Sequence, residues 1–179
     1  QKLKFLLLKT ESTDLRRRMR YEAEKNFSAY ALGLLANRML AHKPMRTLLR
    51  FLDARMVRAH HYYDRYFDRY QPSLIILGNL FTESEIDFLR AARKRKIRTV
   101  GFINSWDKAT ARSVLRALPD KLIVFNDIIK DEVIRFHDAA KKDIFVGGMP
   151  HFDRYFTHTP MRREEFLRHI NLSPEAEFI

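Results

Sequence analysis

Two polar segments carry the side chains best suited to chemistry. The first is Asn104-Ser105-Trp106-Asp107-Lys108-Ala109-Thr110. The Asp107 carboxylate can take a proton from a hydroxyl group. Lys108 offers a compact positive charge to a phosphate. Trp106, the only tryptophan, has a flat face on which a sugar ring can stack. The same residues also have a structural use: Asp107 or Thr110 can cap a following helix, and Trp106 can fill a core. The second segment is Gly147-Gly148-Met149-Pro150-His151-Phe152-Asp153. Paired glycines let the backbone turn tightly or approach a ligand closely. His151 titrates near neutral pH and can act as acid or base. The structural use here is a tight strand exit with Phe152, Tyr155 and Phe156 packed beneath it and His151 capping or in solvent.

The elements that hold these segments follow from the hydrophobic pattern. Lys2–Lys9 reads as a buried strand. A helix capped by Thr13 or Asp14 is expected to run through Leu34, and a second from Arg46 to about Tyr70, with Leu48, Leu52, Met56, Ala59 and Tyr63 on one face. The rhythm then changes. Strands are expected at Leu74–Leu77, Ile97–Ile103, Leu122–Phe125 and Ile144–Val146. Helices are expected at Glu83–Arg95, Ala111–Leu118, Asp127–Asp138 and Pro160–Ile170, and Glu177–Ile179 reads as a strand just starting. Strand and helix alternating at this spacing predict an α/β fold, Rossmann-like, with a doubly wound parallel sheet behind two long N-terminal helices. Short continuous apolar strands suit a sheet covered on both faces. Ligands gather beyond the carboxyl ends of such strands. That rule selects the loops holding Gly78 and Asn79, Asn104 to Thr110, Asn126, and Gly148, Pro150, His151 and Asp153.

Composition narrows the classes. The 179 residues suit one domain, and 46% hydrophobic content supports a core. The absence of cysteine excludes disulfides, thiolate catalysis and cysteine-bound zinc, and is compatible with a reducing cytoplasm. No GxGxxG, P-loop or HExxH occurs, so the sequence implies neither a dinucleotide fingerprint nor a metal site. His60, His61, His137, His158 and His169 read as structural or surface residues. No apolar run approaches the roughly 20 residues of a membrane span. The chain does not begin with Met and ends in an apolar run, so both ends read as cut.

The formal charge is +12, and residues 1–70 hold 16 Lys+Arg against 7 Asp+Glu. Arg16, Arg17, Arg18 and Arg20 lead this excess. Further on, Arg50, Arg55, Arg58, Arg65 and Arg69 interleave with Tyr62, Tyr63, Tyr66, Phe67 and Tyr70. Such a field fits an anionic membrane face, with nucleic acid as the weaker fit. The plain alternative is a solvated helix with core aromatics.

An ordered series runs through the second half: Asn104 to Thr110, then Leu118-Pro119-Asp120-Lys121, Val124-Phe125-Asn126, and Val146 to Asp153. It resembles the N-terminal domain of GT-B-type transferases of surface polysaccharide synthesis, relatives of the CDP-glycerol glycerophosphotransferases and capsule glycosyltransferases. Their pattern is similar to "SWDN-x-T-(S/T)-KG", "P-D", "V-W-N" and "(V/T)-G-x-P-x-F-D". The likeness covers about Leu74 to Phe156. Lys108 stands where the family has Asn, Ala111-Arg112 where it has Lys-Gly, and Phe125 where it has another aromatic.

The resemblance implies half of a GT-B architecture. Residues 1–175 would form the acceptor-side domain, and 176–179 the start of a donor-nucleotide domain. It implies transfer from a nucleotide sugar or CDP-polyol to a saccharide or lipid-linked acceptor hydroxyl, with the nucleotide-activated donor as substrate and no bound cofactor. Asp107 would be the base and His151 the second choice. It implies a cytoplasmic enzyme, peripheral on the inner face of the plasma membrane. Two competitors remain: a non-catalytic basic α/β module that binds anionic membrane or nucleic acid, and a sugar-nucleotide epimerase with the same two-domain plan.

Overall fold

The computed structural model describes residues 6–56, 61–173 and 175–176. They divide into two compact units, one ending at Gly148 and the other beginning at Met149. Each is described by itself.

The first unit opens differently from the sequence expectation. Leu6–Lys9 do not form a strand, and Lys2–Phe5 lie outside the described residues. Leu7 and Leu8 are buried. The Leu6 and Leu8 carbonyls accept from Asn37 Nδ2 at 2.8 and 3.0 Å, so an amide side chain serves where a neighbouring strand would. Helix α1 (Glu11–Glu24) starts earlier than expected, capped by Thr10 and not by Thr13 or Asp14. Thr10 and Thr13 bond reciprocally, each hydroxyl taking the other's backbone N–H. The expected continuous helix to Leu34 breaks at Lys25, which is left-handed with φ 50°. Asn26 then caps α2 (Phe27–Leu40) by accepting from Ala29 N at 2.9 Å. Asparagine ranks with the strongest N-caps, which explains the break.

The second long helix is also divided. Helix α3 spans Lys43–Met56, a 3-10 turn spans His61–Tyr63, and α4 spans Asp64–Tyr70. Val57–His60 lie outside the described residues, Arg58 and Ala59 among them.

The sheet has four parallel strands: β1 (Leu74–Leu77), β2 (Arg98–Phe102), β3 (Lys121–Val124) and β4 (Ile144–Val146). Between them run α5 (Glu83–Lys94), α6 (Lys108–Ala111) and α7 (Asp127–His137). The order is β1-β2-β3-β4. Strand order never reverses among the described strands, so the expected double winding is not seen. Right-handed crossovers repeated in one direction put α5, α6 and α7 on a single face. Burial agrees. Ile75, Leu77, Leu122, Val124 and Ile144 face a core with Leu89, Ala92, Ile129 and Val133, whereas Ile76 and Phe145 are 69% and 66% exposed. Among the described residues one face of the sheet is covered, not the two expected, and the strands alternate as half-buried strands do.

Ala111–Leu118 is not the expected helix. Only Lys108–Ala111 is helical, and the chain then runs irregularly with Val114 and Leu115 buried. Tertiary bonds override propensity here. His137 Nδ1 accepts Leu115 N–H at 3.0 Å, and Arg50 Nε donates to Leu115 O at 2.8 Å.

The second unit holds a 3-10 turn (Pro150–Phe152), α8 (Asp153–Thr157) and α9 (Arg163–His169). The last helix starts later than the Pro160 expected. Leu167 is buried, while Phe152, Tyr155 and Phe156 are exposed, so no packed aromatic layer forms there. Glu177–Ile179, the expected strand start, lies outside the described residues.

Candidate functional site

The carboxyl ends of the four parallel strands open into Gly78–Asn79, Asn104–Lys108, Asn126–Asp127 and Gly147–Gly148. Parallel pairing alone puts these four loops on one edge. Side chains then join the first two. Lys108 Nζ donates to Asn104 Oδ1 at 2.5 Å and to Asn79 Oδ1 at 3.2 Å. Asn79 is itself held, its N–H donating to Glu85 Oε2 at 2.6 Å and its Oδ1 accepting from Phe81 N at 3.2 Å. Lys108 thus bridges the loops after β1 and β2.

Asp107 is not a side-chain cap. Its carbonyl takes Ala111 N at 2.8 Å, whereas its carboxylate accepts from the Ser105 hydroxyl and makes no capping bond to α6. Trp106 is 75% exposed, so the core use of this residue is excluded. Thr110 points the other way in function: its carbonyl accepts from Thr10 Oγ1 at 2.7 Å, tying the loop to the start of α1.

Beneath the loop lies His137, expected to be structural or on the surface and found to be structural. His137 is fully buried. Because its Nδ1 accepts from Leu115 N, its Nε2 carries the proton and donates to Ala109 O at 2.7 Å. Burial pushes the imidazole down to about 4, so it is neutral at pH 7. Its edge also meets the Phe81 ring at 6.1 Å between centroids. One side chain therefore supports the loops after both β1 and β2. A signal existed: Ile129, Val133 and His137 follow one another at four-residue intervals on the buried stripe of α7.

Asn126 caps α7, its Oδ1 accepting from Ile129 N at 3.0 Å. Gly147 N extends the ladder to Val124 O at 2.9 Å. Gly148 has φ 72°, a left-handed turn that favours glycine. Pro150, His151 and Asp153 belong to the second unit and are exposed there, with the His151 ring edge-on to Phe152 at 6.0 Å. Pro119-Asp120 lies at the amino end of β3, on the opposite sheet edge. Asp120 Oδ2 accepts from Thr99 N and Thr99 Oγ1, both at 2.8 Å, and so clamps β2 to β3.

Among the N-terminal arginines, Arg17 pairs with Asp14 at 2.6 Å and Arg20 with Glu24 at 2.9 Å, while Arg16 and Arg18 are exposed. Asp64 and Asp68 pair with Arg95, and Arg65 lies over the Tyr62 and Tyr66 rings. Among the described residues no group of three or more acidic, histidine or cysteine side chains could hold a metal ion, and no helix is long and apolar enough to cross a membrane.

The first unit is therefore an α/β domain built on a four-stranded parallel sheet, with a polar edge that carries Asn79, Asn104, Trp106, Asp107 and Lys108. Comparison of the chain with protein-family models, with curated proteins and with solved structures finds no match.

Proposed function

We propose that this chain is the acceptor-side domain of a GT-B-type transferase of surface polysaccharide synthesis. It would move a sugar or glycerophosphate from a nucleotide-activated donor to an acceptor hydroxyl, on the cytoplasmic side of the membrane. One observation carries the reading: Lys108 draws Asn79 and Asn104 together beside an exposed indole and a carboxylate that caps nothing. The roles follow from chemistry. Trp106 stacks on the apolar face of a saccharide or polyol acceptor. Asp107 takes the proton of the attacking hydroxyl, with Ser105 orienting the carboxylate. Lys108 meets negative charge on the donor phosphate. His151, in the unit beginning at Met149, remains the second candidate base.

The test uses the full-length protein with CDP-polyols and nucleotide sugars, following nucleotide release in the presence of saccharide and lipid-linked acceptors. Turnover with at least one donor, lowered about 100- to 10,000-fold in Asp107→Asn, supports the reading. Release from no donor points instead to a non-catalytic binding module. Turnover unchanged in a folded Asp107→Asn variant removes the base role.

A further inference from the structure

Helix α3 is docked inside out. A helix on a globular surface normally buries its apolar stripe and shows its charged one. Here Arg46, Arg50 and Asp53 point inward. Arg46 and Arg50 bond to Asp138 at 2.6 and 2.7 Å, and Asp53 receives Arg90 at 2.5 Å and Arg116 at 2.6 Å. The outward stripe is Leu48, Phe51 and Leu52, which are 49%, 56% and 40% exposed. Leu48 and Leu52 share one helix face, as expected, and that face is turned outward. The spacing alone fits either orientation, and the inward ion pairs decide it.

Helix α2, which precedes the Ala41–His42 turn, behaves alike. Leu32, Leu35 and Met39, at helical spacing, are all exposed. Leu35 and Met39 line an open groove together with Lys9, Arg38, Ala41 and His42. Between Phe27 and Met56 the only acidic residue is Asp53, which is turned inward and paired. The outward faces of α2 and α3 are therefore apolar and cationic, and neither helix itself turns a carboxylate outward. Arg55 lies over the Phe51 ring at 5.2 Å, a cation placed at the edge of the apolar stripe.

We propose that the outer faces of α2 and α3 dock the protein on an anionic lipid bilayer. Leu48, Phe51 and Leu52 enter the acyl boundary, and Lys9 and Arg38 meet lipid phosphates at the groove. Charge complementarity selects this occupant: an apolar stripe rimmed by arginine and lysine is the pattern of a helix lying in a membrane interface. The arginines of α1 add long-range attraction, but Arg17 and Arg20 are already paired with carboxylates. This inference rests on α2 and α3, not on the polar edge of the sheet, so it stands or falls apart from the transferase reading.

The experiment is co-sedimentation of the full-length protein with vesicles of phosphatidylcholine alone or mixed with phosphatidylglycerol, across a salt series. The wild type is expected to bind the anionic vesicles only, more weakly as salt rises. The triple variant Leu48→Gln, Phe51→Gln, Leu52→Gln is expected to bind about tenfold more weakly or worse, with an unchanged melting temperature because all three side chains are exposed. Lys9→Gln with Arg38→Gln is expected to flatten the salt dependence. Wild-type protein that stays in solution with anionic vesicles overturns the proposal. So does a triple variant that binds as well as wild type. A dimer in sedimentation velocity that the triple variant dissociates, with vesicle binding unaltered, would give the face to a second copy instead.

Discussion

Asp138 receives Arg46 side-on: Nε reaches Oδ2 at 2.8 Å and Nη2 reaches Oδ1 at 2.6 Å. Both side chains are more than nine-tenths buried. Arg50 adds a bond to Asp138 Oδ2 at 2.7 Å and another to His137 O at 2.7 Å. Burial works to raise the Asp138 carboxyl, but the two guanidiniums outweigh it and hold it below the ordinary carboxylate value. Asp138 also ends α7 in a left-handed conformation with φ 59°. This cluster fastens the charged face of α3 to the parallel-sheet domain.

Asp138→Asn tests that fastening. Asparagine tolerates the left-handed turn and keeps the shape. It removes the charge that Arg46 and Arg50 need. Breaking a buried pair from one side costs about 3–5 kcal/mol. Urea denaturation is expected to show a loss of that order. A change within experimental error would mean that the pair adds nothing beyond its own desolvation.

The His137 imidazole gives stability a pH dependence of known sign. Its value is lowered from 6.5 to about 4 in the folded protein by burial. Between these values the unfolded chain binds more protons than the folded one. Stability from neutral His137 is therefore fully present above pH 6.5 and is lost as pH falls toward 4. The shift corresponds to roughly 3 kcal/mol. Asp138, also lowered, adds a further loss at more acid pH with the same sign. Urea midpoints across pH 4–7 check this. His137→Gln, which has no titration in the window, is expected to be less stable at pH 7 but flat down to pH 5.

The sheet was legible in the sequence because its strands are continuous apolar runs bounded by turn residues. Leu74–Leu77 and Ile144–Val146 appear with the boundaries expected. The arrangement of helices around it was not. Lys25 and Asn26 look like ordinary helix-surface residues until the left-handed turn and the cap are seen. The outward turn of Leu48 and Leu52 depends on Asp138 and Arg116, which are remote in sequence. The polar loops after β1 and β2 were visible as loops. Their joining was not, because Asn79, Asn104 and Lys108 meet only through the register of β1 with β2. Trp106 shows the limit most plainly: a lone tryptophan reads equally as core or platform, and only its exposure separates the two.

Gly101 in β2 offers a test of packing at the covered face. A Cβ there would sit 2.6 Å from Leu80 Cδ1 and 2.8 Å from Pro119 Cγ. Leu80 is buried and Pro119 is a ring, so neither yields freely. Gly101→Ala is expected to lower stability by about 1–3 kcal/mol through overpacking. Gly78, at the end of β1, has no atom within 4 Å of such a Cβ. Gly78→Ala is expected to leave the urea midpoint nearly unchanged. Equal losses in both variants would contradict the packing account.

Trp106 links the fold to the proposed reaction, and its exposure makes the experiment clean. The indole is 75% exposed, so little core packing is lost when it is removed. The loop that carries it is held by other contacts, namely Lys108 to Asn104 and Asn79, and His137 to Ala109. Trp106→Ala in the full-length protein is therefore expected to melt within a degree or two of wild type, given that surface changes usually lie within about 0.5 kcal/mol. If the ring stacks on the acceptor, its loss removes binding shared by ground state and transition state. KM for the acceptor then rises, by roughly tenfold for about 1.4 kcal/mol of stacking, while kcat and the KM for the donor hold. Trp106→Phe keeps an aromatic face and is expected to recover part of that loss. A fall in kcat at unchanged KM would place the ring at the reacting centre instead. A large fall in melting temperature would return Trp106 to a structural role, against its exposure in the folded chain.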